Sequence, residues 1–193
     1  MPVEARILAF AGSTRVGSLN KKLARAAAGL ARDAGGTVTE IDLRDFPLPI
    51  YDGDLEASEG LPESGRKLKD LFLAHHALII ASPEYNSGIS GVLKNAIDWV
   101  SRPAPGEASL GCFAGKVAAI MAASPGALGG LRGLVQLRSI LSNINVLVLP
   151  EQVSVPKADA AFAPDGTLTD AGVRDRLSKE VGRLVDVVRR LRA

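Results

Sequence analysis

The chain has 193 residues, 47% of them hydrophobic, and its 23 Lys and Arg against 21 Asp and Glu leave a net charge of +2. That is enough apolar material for one compact domain with a sizeable core, and so even a charge balance makes no independent case for nucleic acid or an anionic membrane as partner. A single cysteine, Cys112, excludes an internal disulfide framework and every multi-cysteine zinc pattern, and it suits the reducing cytoplasm.

The opening MPVEARILAFAG holds too short an apolar stretch for a signal h-region, and no run approaches the ~20 apolar residues of a spanning helix. The chain therefore reads as soluble, cytoplasmic and unprocessed. RILAFA, residues 6–11, is an apolar run stopped at once by Gly12, as a buried strand ending in a functional turn would be. Leu19, Leu23, Ala26, Ala27, Leu30 and Ala34 then recur at helical spacing, with Gly35 and Gly36 as the stop.

TVTEIDL, residues 37–43, alternates like a strand, and residues 46–62 follow as a loop rich in Pro, Gly and acids in which no periodicity is found. A helix is expected from Glu63 through Leu68, Leu71 and Phe72, then a central strand at ALIIA, residues 77–81. SPEYNSG breaks that strand. Ile89, Val92, Leu93, Ala96, Ile97 and Val100 trace the next helix, which ends by Pro103.

The order repeats with a strand at KVAAIMA, residues 116–122, a small-residue turn ASPGALGG, and a helix over residues 131–141. NVLVL, residues 145–149, makes a fifth strand. A long closing helix carries the stripe Val173, Leu177, Val181, Leu184, Val185, Val188 and Leu191, with Thr169 as its N-cap. Strands alternating with helices predict an α/β fold: a doubly wound, five-stranded parallel sheet with helices on both faces. No fixed repeat period and no low-complexity tract divides it, so residues 1–193 read as one domain.

Ligands of open parallel sheets bind outside the carboxyl ends of the strands. GSTRVGSLN, SPEYNSGISG and SPGALGG would all lie on that edge. The first enters a helix near Ser18 or Leu19, which aims backbone N–H groups and the positive dipole end at one point. Ser13, Ser18 and Asn20 add neutral donors, and Arg15 adds a planar charged fork suited to phosphate oxygens. The alternative is a plain turn in which Ser18 caps the helix and Arg15 is solvated.

The spacing matches neither the GxGxxG dinucleotide turn nor GxxxxGK[ST]. The second loop offers a rigid Pro83, main-chain donors at Glu84, Tyr85 and Asn86, and the Tyr85 ring for a flat heteroaromatic ligand, or it is merely a turn. The third has three glycines and no bulky side chain before Leu128, which lets backbone approach a ligand or simply makes a flexible turn.

Taken together, GSTRVGSLNKKLA and ASPEYNSGISGVLKNAIDWVSRP resemble the NADPH-dependent FMN reductase family, the flavodoxin-like group that includes quinone, azo-dye and chromate reductases. The family pattern GSxRxxSxN is matched at Gly12, Ser13, Arg15, Ser18 and Asn20, PEYN at Pro83 to Asn86, and LKNAIDW at Leu93 to Trp99. The likeness runs over residues 6–155.

It implies a flavodoxin-like sheet in the order 2-1-3-4-5, with FMN phosphate on Ser13, Arg15, Ser18 and Asn20 around the helix start at Leu19. It also implies an isoalloxazine ring against Pro83, Glu84, Tyr85 and Asn86, with Ser124 and Gly126 near its edge. NADPH or NADH would pass a hydride to the ring, and a small-molecule acceptor (quinone, azo compound, free flavin or metal oxyanion) would then take it in a ping-pong cycle. No catalytic side chain and no metal ligand is assigned, since such chemistry belongs to the cofactor. A homodimer or homotetramer built on the LKNAIDW helix and residues 46–61 is the expected assembly.

Two rivals are a flavin-binding electron carrier, for which net +2 lacks the acidic docking surface, and a non-enzymatic regulatory module. Tyr85 either gates the stacking position or packs beside the ring or across a subunit boundary. A dinucleotide site on Arg132 or Arg138 is only a conjecture. His75 and His76, without a third ligand in reach, read as structural or solvated, and Cys112, without an activating base, as an inert thiol. The terminal RRLRA reads as a solvated face whose cations suit a helix C-terminus. Trp99 is either core or part of an exposed apolar face.

Overall fold

The computed structural model describes residues 4–104 and 106–193. In chain order its elements are β1 (Arg6–Ala11), α1 (Leu19–Asp33), β2 (Thr37–Asp42), α2 (Gly53–Glu59), α3 (Glu63–Ala74) and β3 (Ala77–Ala81). Then come β4 (Glu84–Tyr85), β5 (Gly88–Ile89), α4 (Gly91–Val100), β6 (Val117–Ala123), α5 (Leu131–Asn143), β7 (Leu147–Val148), β8 (Val153–Val155) and α6 (Ala171–Arg192). Short 3-10 turns sit at Leu43–Asp45 and Ala158–Ala160.

The main sheet is parallel, in the order β2-β1-β3-β6-β7, with β8 also paired to β6. The expected 2-1-3-4-5 order holds when β6 is counted fourth and the β7–β8 pair fifth. That fifth position is two short strands because Pro150 follows Leu149 and has no N–H to continue the ladder. Arg138 fills the break, its guanidinium donating to the carbonyls of Val148 (3.4 Å), Leu149 (2.7 Å) and Pro150 (3.4 Å).

Successive side chains of a strand face opposite sides, and the two cores follow from that. Ile7, Ala9, Ile79 and Met121 point toward α1 and α6, where Leu23, Ala27, Ala31, Leu177, Val181 and Leu184 meet them. Leu8, Phe10, Leu78 and Ile80 point the other way, toward Leu68, Phe72, Leu93, Ile97, Leu134 and Leu137. Alanine-rich α1 lies close to the sheet because Ala24, Ala27, Ala28 and Ala31 are buried with no bulk to hold it off. Each fully buried Leu or Ile contributes roughly 1.5–3 kcal/mol.

Three sequence expectations change, and one left open is decided. Residues 46–62 are not loop throughout, since Asp52 caps the short α2 by accepting from Asp54 N at 2.8 Å. SPEYNSG is a hairpin, β4–β5, whose turn residues Asn86 and Ser87 both have positive φ (50° and 66°) as a two-residue type I′ turn requires. α6 is capped by Asp170, which accepts from Val173 N at 2.9 Å, and not by Thr169, whose hydroxyl donates to Ala161 O. Trp99 is core, fully buried with its indole N–H on Pro49 O at 2.8 Å.

Candidate functional site

In the register of the sheet Ala11 pairs with Ala81 and Ala81 with Met121. The loops after β1, β3 and β6 therefore leave from one level. Backbone bonds carry the alignment one step on: Gly12 N to Ala81 O (2.9 Å), Ser82 N to Met121 O (2.8 Å) and Ser124 N to Val155 O (3.1 Å).

A cavity of about 310 Å³ opens between these loops. Ser13, Arg15, Ser18, Leu19, Asn20, Pro83, Glu84, Tyr85 and Ser124 line it, so nine of the eleven anticipated residues meet there. Asn86 and Gly126 are not among its walls; the first sits in the hairpin turn and the second in the turn after β6.

The first loop is shaped from below. A Cβ on Gly12 would lie 2.9 Å from the Leu93 side chain, so only glycine lets α4 pass beneath it at this distance. Ser90, the N-cap of α4, donates to Gly12 O at 2.6 Å and accepts from Leu93 N at 3.2 Å. Ser18 caps α1, its hydroxyl accepting from Lys21 N at 3.4 Å. Among the described residues, no protein group accepts from the N–H groups of Val16, Gly17, Leu19 and Asn20, while Ser18 N–H closes the turn at residues 16–17. Free main-chain donors, the positive end of a 15-residue helix and the Arg15 side chain thus share one corner.

Asn20 has a different place from the one its motif suggests. Its buried amide donates to Ala123 O and accepts from Ala123 N, both at 2.9 Å. The side chain clips the start of α1 to the end of β6, and only its backbone N–H is free for a ligand. Glu84 likewise turns its carboxylate out of the cavity, to Gly133 N (3.0 Å) and Arg132 Nε (2.8 Å). Burial alone would raise the Glu84 pKa, but the Gly133 N–H and Arg132 outweigh it and hold the carboxyl below its usual range. Gln136 Oε1 accepts from Ile89 N at 2.8 Å, so α5 pins both strands of the hairpin.

Tyr85 remains half exposed at the cavity wall. Arg132 is paired with Glu84, and Arg138 is engaged by the broken fifth strand. The glycines of the third loop answer to packing: a Cβ on Gly129 would sit 2.6 Å from Pro156 N, and one on Gly130 2.6 Å from Ala122 Cβ.

Gly17, Lys22, Ala123, Pro125 and Asp159 complete the walls and were missed from sequence. Lys22 is one helical turn beyond Ser18 and was legible as such, whereas Asp159 arrives from beyond β8 with no local signal. His75 is buried between Leu71 O (2.6 Å) and Thr39 Oγ1 (2.8 Å). Cys112 lies against Val100 O at 2.9 Å, and burial raises its thiol pKa.

The profile of the family described as NADPH-dependent FMN reductase matches residues 5–160. The chain belongs to the NADPH-dependent FMN reductase family. As a member it is 37% identical over 194 aligned positions to an NAD(P)H-dependent FMN reductase of Pseudomonas aeruginosa, with 100% of both chains covered. It is 30% identical to a quinone reductase of Escherichia coli, again over the full length of both. Among solved structures it is similar to FerB, a flavoenzyme NAD(P)H:(acceptor) oxidoreductase from Paracoccus denitrificans. The TM-score is 0.78, with 31% identity and 96% and 98% of the two chains covered. No helix among the described residues is long and apolar enough to cross a membrane.

Proposed function

We propose that this family member acts as one flavodoxin-like domain, an FMN-dependent NAD(P)H oxidoreductase that reduces a small acceptor such as a quinone, azo compound, free flavin or metal oxyanion. The observation that carries it is the corner of free N–H groups within residues 16–20 with Arg15 beside it, facing the Pro83–Tyr85 wall across one cavity. That donor set fits a doubly negative phosphate monoester.

Arg15, the hydroxyls of Ser13 and Ser18 and the N–H groups up to Asn20 hold the phosphate. Pro83, the main chain of Glu84 and Asn86, and the Tyr85 ring bound the flat ring, with Ser124 and Gly126 at its edge. When bound, FMN supplies the hydride store between donor and acceptor, and hence a ping-pong order. The protein orients the two substrates at one face, and α5 keeps the hairpin rigid through Glu84 and Gln136. No side-chain acid or base is assigned. The single thiol suits a reducing compartment such as the cytoplasm.

Purified protein should carry flavin absorbance and oxidise NADPH in the presence of FMN and a quinone. Arg15→Ala should weaken FMN affinity about 10- to 100-fold, the range for one charge-assisted hydrogen-bonding group; unchanged retention in equilibrium dialysis would remove Arg15 from the site. The functional unit is a homodimer or homotetramer. In support, Ile50 is 87% exposed on the strap over α4, and Tyr85, Leu131 and Val135 add apolar surface near the cavity. Light scattering that returns a monomer mass at micromolar concentration would overturn this.

A further inference from the structure

A second cavity, of about 270 Å³, runs along α1 on the side facing the turn at residues 165–168 and the start of α6. Lys22 lines both this groove and the cofactor cavity, so the two adjoin at that residue. Lys22, Arg25, Gly29 and Asp33 mark successive turns on one face of the helix. At 1.5 Å per residue the groove extends about 16 Å from Lys22 to Asp33.

Charge is unevenly placed along it. Lys22 and Arg25 stand at the end that joins the cofactor cavity, and Arg174 on the first turn of α6 also lines the groove. Among the described residues none of these three makes an ion pair. Asp165 lies near Lys22, but its carboxylate accepts from Thr167 N at 2.9 Å and so shapes the turn. The floor is apolar, with Leu30 and buried Leu168, and it is opened by Gly29, where a Cβ would meet nothing within 4 Å. Unpaired cations beside an apolar floor suit a ligand that joins phosphate to an aromatic ring.

We propose that this groove binds the phosphorylated adenosine end of the nicotinamide dinucleotide, with Arg25 and Arg174 contacting its phosphates and Lys22 bridging to the cofactor cavity. The proposal rests on the reading of the chain as an NAD(P)H oxidoreductase. It adds a site, away from the flavin-binding loops, that selects the reductant.

Adenosine 2′,5′-bisphosphate, titrated calorimetrically into the FMN-loaded protein, reads the groove without turnover. It should bind, and the double variant Arg25→Glu/Arg174→Glu should bind it at least about ten-fold more weakly while retaining FMN as the wild type does. Both positions are exposed, so the fold should tolerate them. In steady state the variant's KM should rise by a similar factor with kcat near the wild-type value. A rise for NADPH alone assigns the cations to the 2′-phosphate, and a parallel rise for NADH assigns them to the pyrophosphate; both support the groove.

Unchanged KM for both reductants, or an equal rise in Arg190→Glu at the far end of α6, would overturn it, the second result marking a general field effect. A wild-type protein that neither holds FMN nor oxidises NADPH would instead refute the oxidoreductase reading. In that case the bisphosphate titrated into the flavin-free protein, wild type against the double variant, would still decide the groove.

Discussion

Asn20→Ala is expected to destabilise the protein by about 2–4 kcal/mol, because it leaves both the N–H and the C=O of Ala123 buried without partners. The same change should loosen FMN retention, although the lost amide touches no ligand in our assignment. The side chain joins the first turn of α1 to the end of β6, so it sets the distance between the start of α1 and the third loop. Urea unfolding of the FMN-free protein gives the first quantity and equilibrium dialysis the second. A loss below about 1 kcal/mol, the worth of an ordinary exposed hydrogen bond, would show that the clip is not what holds these elements together.

Glu180→Gln should make the protein more stable at alkaline pH and change it little at pH 4.5. Glu180 is 1% exposed on α6, and neither carboxylate oxygen has a hydrogen-bond partner. Burial pushes its pKa up to about 8, with the Ile120 N–H and Arg138 opposing and Glu151 adding to the rise. The folded protein thus holds this proton more tightly than the unfolded chain does. Stability consequently falls as pH rises from about 4.5 to about 8 and levels off above, a loss on the order of a few kcal/mol.

The glutamine variant lacks that slope. Buried Lys116, whose pKa burial lowers to about 8, runs the other way, gaining stability above that pH, but it is common to both proteins and cancels in the difference. Equal stability differences at pH 5.5 and pH 9 in urea titrations would mean that the carboxyl is solvated or paired after all.

The sequence by itself determined the order of the main-sheet strands and of the longer helices between them. Residues 6–11, 77–81 and the apolar stripe of α6 had no solution but burial, since their periodicities of 2 and 3.6 leave only one face, or none, for water. The corner of free N–H groups at the start of α1 was legible for the same reason, as it is built from consecutive residues whose backbone geometry is local. Residues 46–62 hid α2 because seven residues with no buried side chain carry no apolar period to detect.

Only the tertiary structure decided what side chains do once elements meet. Asn20 and Ala123 are 103 positions apart and Glu84 and Gly133 are 49 apart, so no local pattern could turn a motif amide into a clip or a loop carboxylate into an anchor for the hairpin. The groove along α1 is of that kind too, because the residues that face α1 across it lie more than 130 positions away. A chain's near neighbours fix its backbone torsions and hence its strands, helices and turns. The partners of a buried polar group are chosen by desolvation, which acts only where distant segments close over it.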